Sequence, residues 1–146
     1  MLLTVILVVV LVFLREQRFV QGQAELAAVK TTIGALRTAL VFSHLQAQTA
    51  KAGDPVAMPQ RNPFLLLQFP PAGYQGEMNL AQAAIASPGS WAYDPGCGCV
   101  GYVPMNPQWL ASPNGAATIW YRVSGGSGPA RMDALDRYVW QGQPLQ

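Results

Sequence analysis

Charge is what this chain has least of. Asp, Glu, Lys and Arg make up 11% of its 146 residues, less than half of the roughly 25% usual in soluble proteins. The nine basic residues are scattered rather than gathered into a stripe, which argues against nucleic-acid binding. A single histidine, His44, and two cysteines, Cys97 and Cys99, cannot furnish a CxxC…CxxC or HExxH zinc site. No GxxxxGK[ST], GxGxxG or GxSxG stretch occurs, so the phosphate-cradling loops and the nucleophile elbow built from those glycines are missing. Proline is absent before Pro55, and Gly22 is the only glycine before Gly34. Nothing in that stretch interrupts a helix.

What is present begins at the first residue. Met1, Leu2, Leu3, Val5, Ile6, Leu7, Val8, Val9, Val10, Leu11, Val12, Phe13 and Leu14, with Thr4, form a charge-free apolar run. A signal peptide would open on basic residues and close on a small-residue cleavage site; Met1-Leu2-Leu3-Thr4 has no basic residue and Leu14-Arg15-Glu16 is no such site. Fourteen helical residues cover about 21 Å, short of the ~20 apolar residues that span a bilayer alone. The reading preferred here is a helix buried among copies of itself, or held in a membrane with help from residues upstream. Arg15 and Arg18 flank Glu16, so loop charge sets no orientation.

The same helix then changes character. Phe19, Gly22, Leu26, Val29, Ile33, Leu36 and Leu40 follow one another at steps of three and four, the seam of an amphipathic helix. Gln23, Glu25, Lys30 and Arg37 fall off that seam and are expected to face solvent or a neighbouring subunit. Gly53-Asp54-Pro55 stops the element, since glycine suits a helix C-cap and proline cannot continue. One helix from Met1 to about Ala50 would be roughly 75 Å long, so part of it must project from any small domain. A coiled-coil dimer is the simpler reading of the seam, but three heptads are few and Gly22 lies within them.

Roughly 95 residues remain, enough for one small domain. Residues 53–88 read as a connector, with a helical turn at Pro63–Gln68 capped by Asn62 and a short helix around Asn79–Ala86. Trp91–Asp94 and Val100–Val103, separated by Pro95, Gly96 and Gly98, read as a hairpin. Thr118–Val123 is the strongest strand, rich in β-branched and aromatic residues. Leu135–Trp140 is expected to be a further strand. The fold class is therefore α+β: a long N-terminal helix, hydrophobic then amphipathic, packed on a small antiparallel sheet of three or four strands. Its parts are 1–18, the apolar assembly segment; 19–52, the amphipathic continuation; 53–88, the connector; and 89–146, the sheet.

In order, the apolar start, the extended amphipathic helix, Asn62-Pro63-Phe64, Pro70-Pro71-Ala72-Gly73-Tyr74-Gln75-Gly76, Gly89-Ser90-Trp91-Ala92-Tyr93-Asp94, Val100-Gly101-Tyr102-Val103 and Ile119-Trp120-Tyr121-Arg122-Val123 resemble a type IV pilin-like protein, either a minor pilin or a type II secretion pseudopilin. The resemblance covers nearly the whole chain. It implies a non-enzymatic filament subunit, inserted in a bacterial inner membrane with a periplasmic domain and later incorporated into a periplasmic or surface filament. The implied partners are other pilin-like subunits, an inner-membrane assembly platform and the membrane itself. The family's mature start, Phe or Met then Thr-Leu-x-Glu after a basic leader ending in glycine, is not matched: Val5 stands where the glutamate would be. The expectation is that the precursor extends upstream; a chain truly lacking the glutamate would resemble the tip-positioned pseudopilin.

Within that frame Cys97 and Cys99 are read first as turn residues or a local disulfide of an oxidising periplasm, ahead of a redox pair or a metal site; a bond across one residue closes a small ring. Asp94 caps the hairpin turn or, as in some pseudopilins, helps bind calcium, with Asp133 and Asp136 the only other late carboxylates. No cofactor is otherwise implied. His44, lacking a nucleophile and an orienting partner, is read as a surface or packed residue. Trp91, Tyr93, Tyr102, Trp109, Trp120, Tyr121 and Trp140 are core residues or a binding face, with Trp109, in a loop, the best candidate for partner contact. The alternative function is a membrane-anchored periplasmic binding module that uses such a face and never polymerises.

Overall fold

A computed structural model describes residues 1–49, 62–83, 86–126 and 128–146. Helix α1 runs unbroken from Leu2 to Thr49, about 72 Å at the α-helical rise. The expected stop at Gly53–Pro55 lies outside the described residues. Leu26, Val29, Ile33, Leu36 and Leu40 are all buried, so the seam packs on the chain's own domain. Each such side chain stabilises the fold by about 1.5–3 kcal/mol.

The domain opens with a 3₁₀ turn at Pro63–Leu66, whose first N–H, that of Phe64, is taken by the Asn62 side chain at 3.1 Å. Asn62 also donates to the Tyr74 hydroxyl at 2.7 Å, tying this turn to strand β1, Tyr74–Glu77. A four-residue helix α2, Leu80–Ala83, starts with a reciprocal cap. Asn79 N–H donates to Gln82 Oε1, and Gln82 N–H donates to Asn79 Oδ1, which satisfies two otherwise orphan donors.

Strands β2 (Trp91–Asp94) and β3 (Cys99–Tyr102) form the expected hairpin, with Trp91 opposite Tyr102 and Asp94 opposite Cys99. Further on come β4 (Leu110–Ala111), β5 (Ile119–Ser124), β6 (Arg131–Ala134), β7 (Val139–Trp140) and β8 (Gln143–Pro144). The main sheet has the order β1-β2-β3-β5-β6, and β4-β7-β8 make a small second sheet. The class is thus α+β as expected, with two corrections to the sheet. It has five strands rather than three or four, and its edge strand β1 pairs parallel to β2. That strand falls in what reads as connector, because Tyr-Gln-Gly-Glu carries no alternating apolar pattern. The expected strand Leu135–Trp140 is also divided: the chain bends at residues 135 and 136, and only Val139–Trp140 is a strand.

Period-two alternation sends Trp91, Tyr93, Val100, Tyr102, Ile119, Tyr121, Val123 and Met132 toward α1, where they join the seam, Phe64, Trp140 and Leu145 in one core. On the far face Ala83, Ala92, Cys99 and Trp120 form a smaller cluster. Gly101, paired with Trp120 across β3 and β5, makes room for it: a Cβ there would lie 2.5 Å from the indole ring, and a strand glycine serves such close approaches.

Candidate functional site

Two features of α1 carry functional content: the exposed apolar part, and the joint where the head begins. Met1–Leu14 is exposed throughout, from 46% at Val10 to 104% at Met1. A contiguous apolar surface of this extent marks an interaction site. Among the described residues, no helix is long and apolar enough to cross a membrane.

The joint lies between Phe19 and Glu25. Trp109 ends a 3₁₀ turn at Pro107–Trp109 and stands edge-on to Phe19, with ring centroids 6.4 Å apart. Trp140 Nε1–H donates to the Gly22 carbonyl at 3.0 Å. Gln141 Nε2–H donates to the Phe19 carbonyl at 3.3 Å, and Gln23 Nε2–H donates to Gln141 Oε1. At Gly22 the helix lies close against the head, since a Cβ there would meet the Gln141 side chain and lie 3.0 Å from Trp109 Cδ1. That requirement explains a glycine inside a helix, which costs about 1 kcal/mol relative to alanine.

Of the off-seam residues, Lys30 is exposed as expected, whereas Glu25, Gln23 and Arg37 are corrected by this geometry. Glu25 is buried rather than solvent-facing: its Oε1 accepts from the Tyr102 hydroxyl at 2.8 Å and from the Met105 N–H at 2.6 Å. Gln23 joins the joint, Lys30 donates to Gln143 Oε1 at 3.2 Å, and Arg37 donates to the carbonyls of Met132 and Gln146. The head wraps more of the helix than the apolar stripe. Glu25 stands three residues after Gly22 and four before Val29, so it shares their face. That spacing was the available signal.

Glu25 anchors the start of the loop that ends in Trp109. Glu25→Ala leaves the Tyr102 hydroxyl and the Met105 N–H without their acceptor. At about 1–3 kcal/mol for each orphaned group, urea unfolding is expected to show a loss of roughly 2–6 kcal/mol. Glu25→Gln, which keeps one acceptor oxygen, should lose less than half of that.

Burial, then the hydrogen bond and charge of Glu25, hold the Tyr102 phenol well above its ordinary range. Tyr121 is pushed up to about 12, mainly by burial, with Arg37 pulling the other way. An unfolded tyrosine ionises near 10, so below that pH both states hold the proton and the phenols' contribution is complete. As pH rises from about 10 toward 12 the unfolded chain releases protons that the folded chain retains, and stability falls. Tyr121→Phe is expected to flatten that alkaline decline in unfolding curves measured from pH 9 upward, while changing stability little at pH 7.

The remaining candidates fall into place. Cys97 and Cys99 are joined by a disulfide in the β2–β3 turn, the local bond among the readings above. Asp94 Oδ1 accepts from the Gly96 N–H at 2.8 Å, capping that turn. No three of His, Cys, Asp and Glu gather into a metal-holding group among the described residues; Asp136 accepts from Asn114 at 2.8 Å. His44 lies on α1 within hydrogen-bond distance of Gln48, at 3.0 Å. Trp91, Tyr93, Tyr102, Trp120, Tyr121 and Trp140 are buried. Trp109 is half-buried and lines a cleft of about 370 Å³ with Leu11, Leu14, Arg15, Arg18 and Gln108. Compared with family models, curated proteins and solved structures, the chain matches none.

Proposed function

We propose that this chain is a non-enzymatic structural subunit of a type IV pilus-like or type II secretion-like filament, assembling through its apolar helix. The observation that carries the reading is the division of labour along α1. From Gly22 to Leu40 the helix buries one stripe in its own domain, whereas Met1–Leu14 is apolar on every side and contacts no part of the head's core. A helix that is hydrophobic all round belongs in an apolar surround. Before assembly that surround is the membrane. In the filament it is the same segment of neighbouring subunits, and the burial drives association without a chemical step. Head-to-tail contacts of this kind build open helical polymers.

The alternative, a membrane-anchored binding module with an aromatic ligand face, has less to rest on, because the strand aromatics are turned inward. Deleting residues 1–18 separates the two readings. The buried stripe of α1 begins at Gly22, and residues before Phe19 border only the open cleft beside Gln108 and Trp109, so the truncated chain should fold, stay soluble and disappear from filaments sheared off expressing cells. A truncated chain still recovered in those filaments would overturn the proposal.

A further inference from the structure

We propose that the cleft beneath Trp109 is a docking collar for anionic phospholipid headgroups and fixes how deeply the apolar segment sits. This rests on the reading that Met1–Leu14 enters a membrane, and it assigns that entry a specific stop. Leu11, Leu14, Arg15 and Arg18 line the cleft together with Gln108 and Trp109. At about 100° per residue these four helix positions form one stripe, while Glu16 lies roughly 140° round from Leu11 and stays clear of it. The chain is free of charge through Leu14 and then presents two guanidinium groups within one turn. Neither arginine has a hydrogen bond or ion pair among the described residues, so both are free to receive an anion.

The wall chemistry matches a bilayer surface from bottom to top. Leu11 and Leu14 are apolar and face the acyl side. The guanidinium fork fits phosphate oxygens in paired hydrogen bonds. A half-exposed indole above them suits the boundary between hydrocarbon and water, where tryptophan is enriched. Phe19, in edge contact with Trp109, holds that indole at the level of the arginines. When the helix is inserted as far as Leu14, Arg15 stands at headgroup height.

A second copy of the chain is a poorer occupant. Glu25 and Asp94 are buried, and Glu77 and Asp136 already accept from Asn62 and Asn114. Few of its seven acidic residues remain to meet two arginines.

The test is flotation of the full chain with vesicles of phosphatidylcholine alone and of phosphatidylcholine mixed with phosphatidylglycerol, at low and high salt. Two basic residues at an anionic surface are expected to give about a 30-fold preference for the mixed vesicles. The preference should fade with salt and be absent in R15Q/R18Q. That double variant should unfold at the wild-type temperature, since it breaks no internal bond. R122Q/R131Q, which removes the same charge from the exposed side of the head, should keep the preference; its loss there would mean diffuse attraction and overturn the collar. If wild type and R15Q/R18Q float equally with both vesicles, the collar falls while membrane insertion stands. If the wild-type chain floats with neither, insertion falls and the collar with it. If R15Q/R18Q keeps the vesicle preference but is lost from sheared filaments, the cleft is a subunit contact and the lipid assignment is overturned.

Discussion

On the proposed filament reading, Val9→Asp is expected to remove the chain from sheared filaments altogether while leaving the unfolding of its head unchanged. Val9 lies in the middle of the charge-free segment, 60% exposed in the isolated chain and remote from every core residue. In the folded monomer the aspartate simply faces solvent, so circular dichroism and thermal unfolding of the head should match wild type. In a bundle of apolar helices, or at depth in a bilayer, the same carboxylate loses its water and finds no cationic side chain, because the segment contains no Lys, Arg or His. Placing an aspartate at the centre of a membrane helix costs about 3 kcal/mol on insertion scales, more than a hundredfold in partitioning. Every neighbour in a helical polymer contributes the same burial, so the penalty recurs at each contact. Val9→Leu, which keeps an apolar side chain, should assemble normally. Normal filament recovery of Val9→Asp would show that the segment is not buried in the assembly.

The largest expected effect on stability is at Trp140. Trp140 is 0% exposed, pairs with Leu110 and Gln143 in the small sheet, and donates to the Gly22 carbonyl. One residue thus joins β4, β7 and β8 through its backbone and the helix through its indole. Trp140→Ala should lower the unfolding free energy by about 3–5 kcal/mol, read from the shift of a urea transition. Trp140→Phe retains most of the volume and leaves the Gly22 carbonyl its intrahelical bond, so the loss should be near 1 kcal/mol, the net value of one hydrogen bond. Comparable losses for both variants would place the contribution in the indole N–H rather than in packing. Because Trp140 closes the small sheet over Phe19 and Gly22, Trp140→Ala should also loosen the Trp109 turn.

Much of this architecture was legible in the order of residues. The seam from Gly22 to Leu40, the Asn62 cap, the Trp91–Tyr102 hairpin and the strand at Ile119 all emerged where the pattern put them, because each is set by a local period or by one turn residue. The projecting apolar segment was legible for the same reason. Two strands of the main sheet escaped, as did the two-residue β4 and β8 of the small one, and the causes in the main sheet differ. Tyr74–Glu77 is an edge strand, held by a parallel pairing to β2 and by Asn62, and its own composition favours nothing. Arg131–Ala134 reads as polar, since only Met132 and Ala134 turn inward, and its place is set by its register with β5.

The joint shows the limit most clearly. Sequence periodicity alone determined which stripe of α1 would be apolar, that its first fourteen residues would find no partner within so small a domain, and where the head's central hairpin would turn. Its spacing set Glu25 on the face of Gly22 and Val29, but could not decide that a carboxylate there would be enclosed. The groups that make that burial tolerable, the Tyr102 hydroxyl and the Met105 N–H, lie 77 and 80 positions away. A polar side chain is read as exposed until its partners are known. Only the folding of the sheet against the helix brings those donors to the carboxylate, sets Trp109 beside Phe19, and leaves Arg15 and Arg18 unclaimed at the foot of the head.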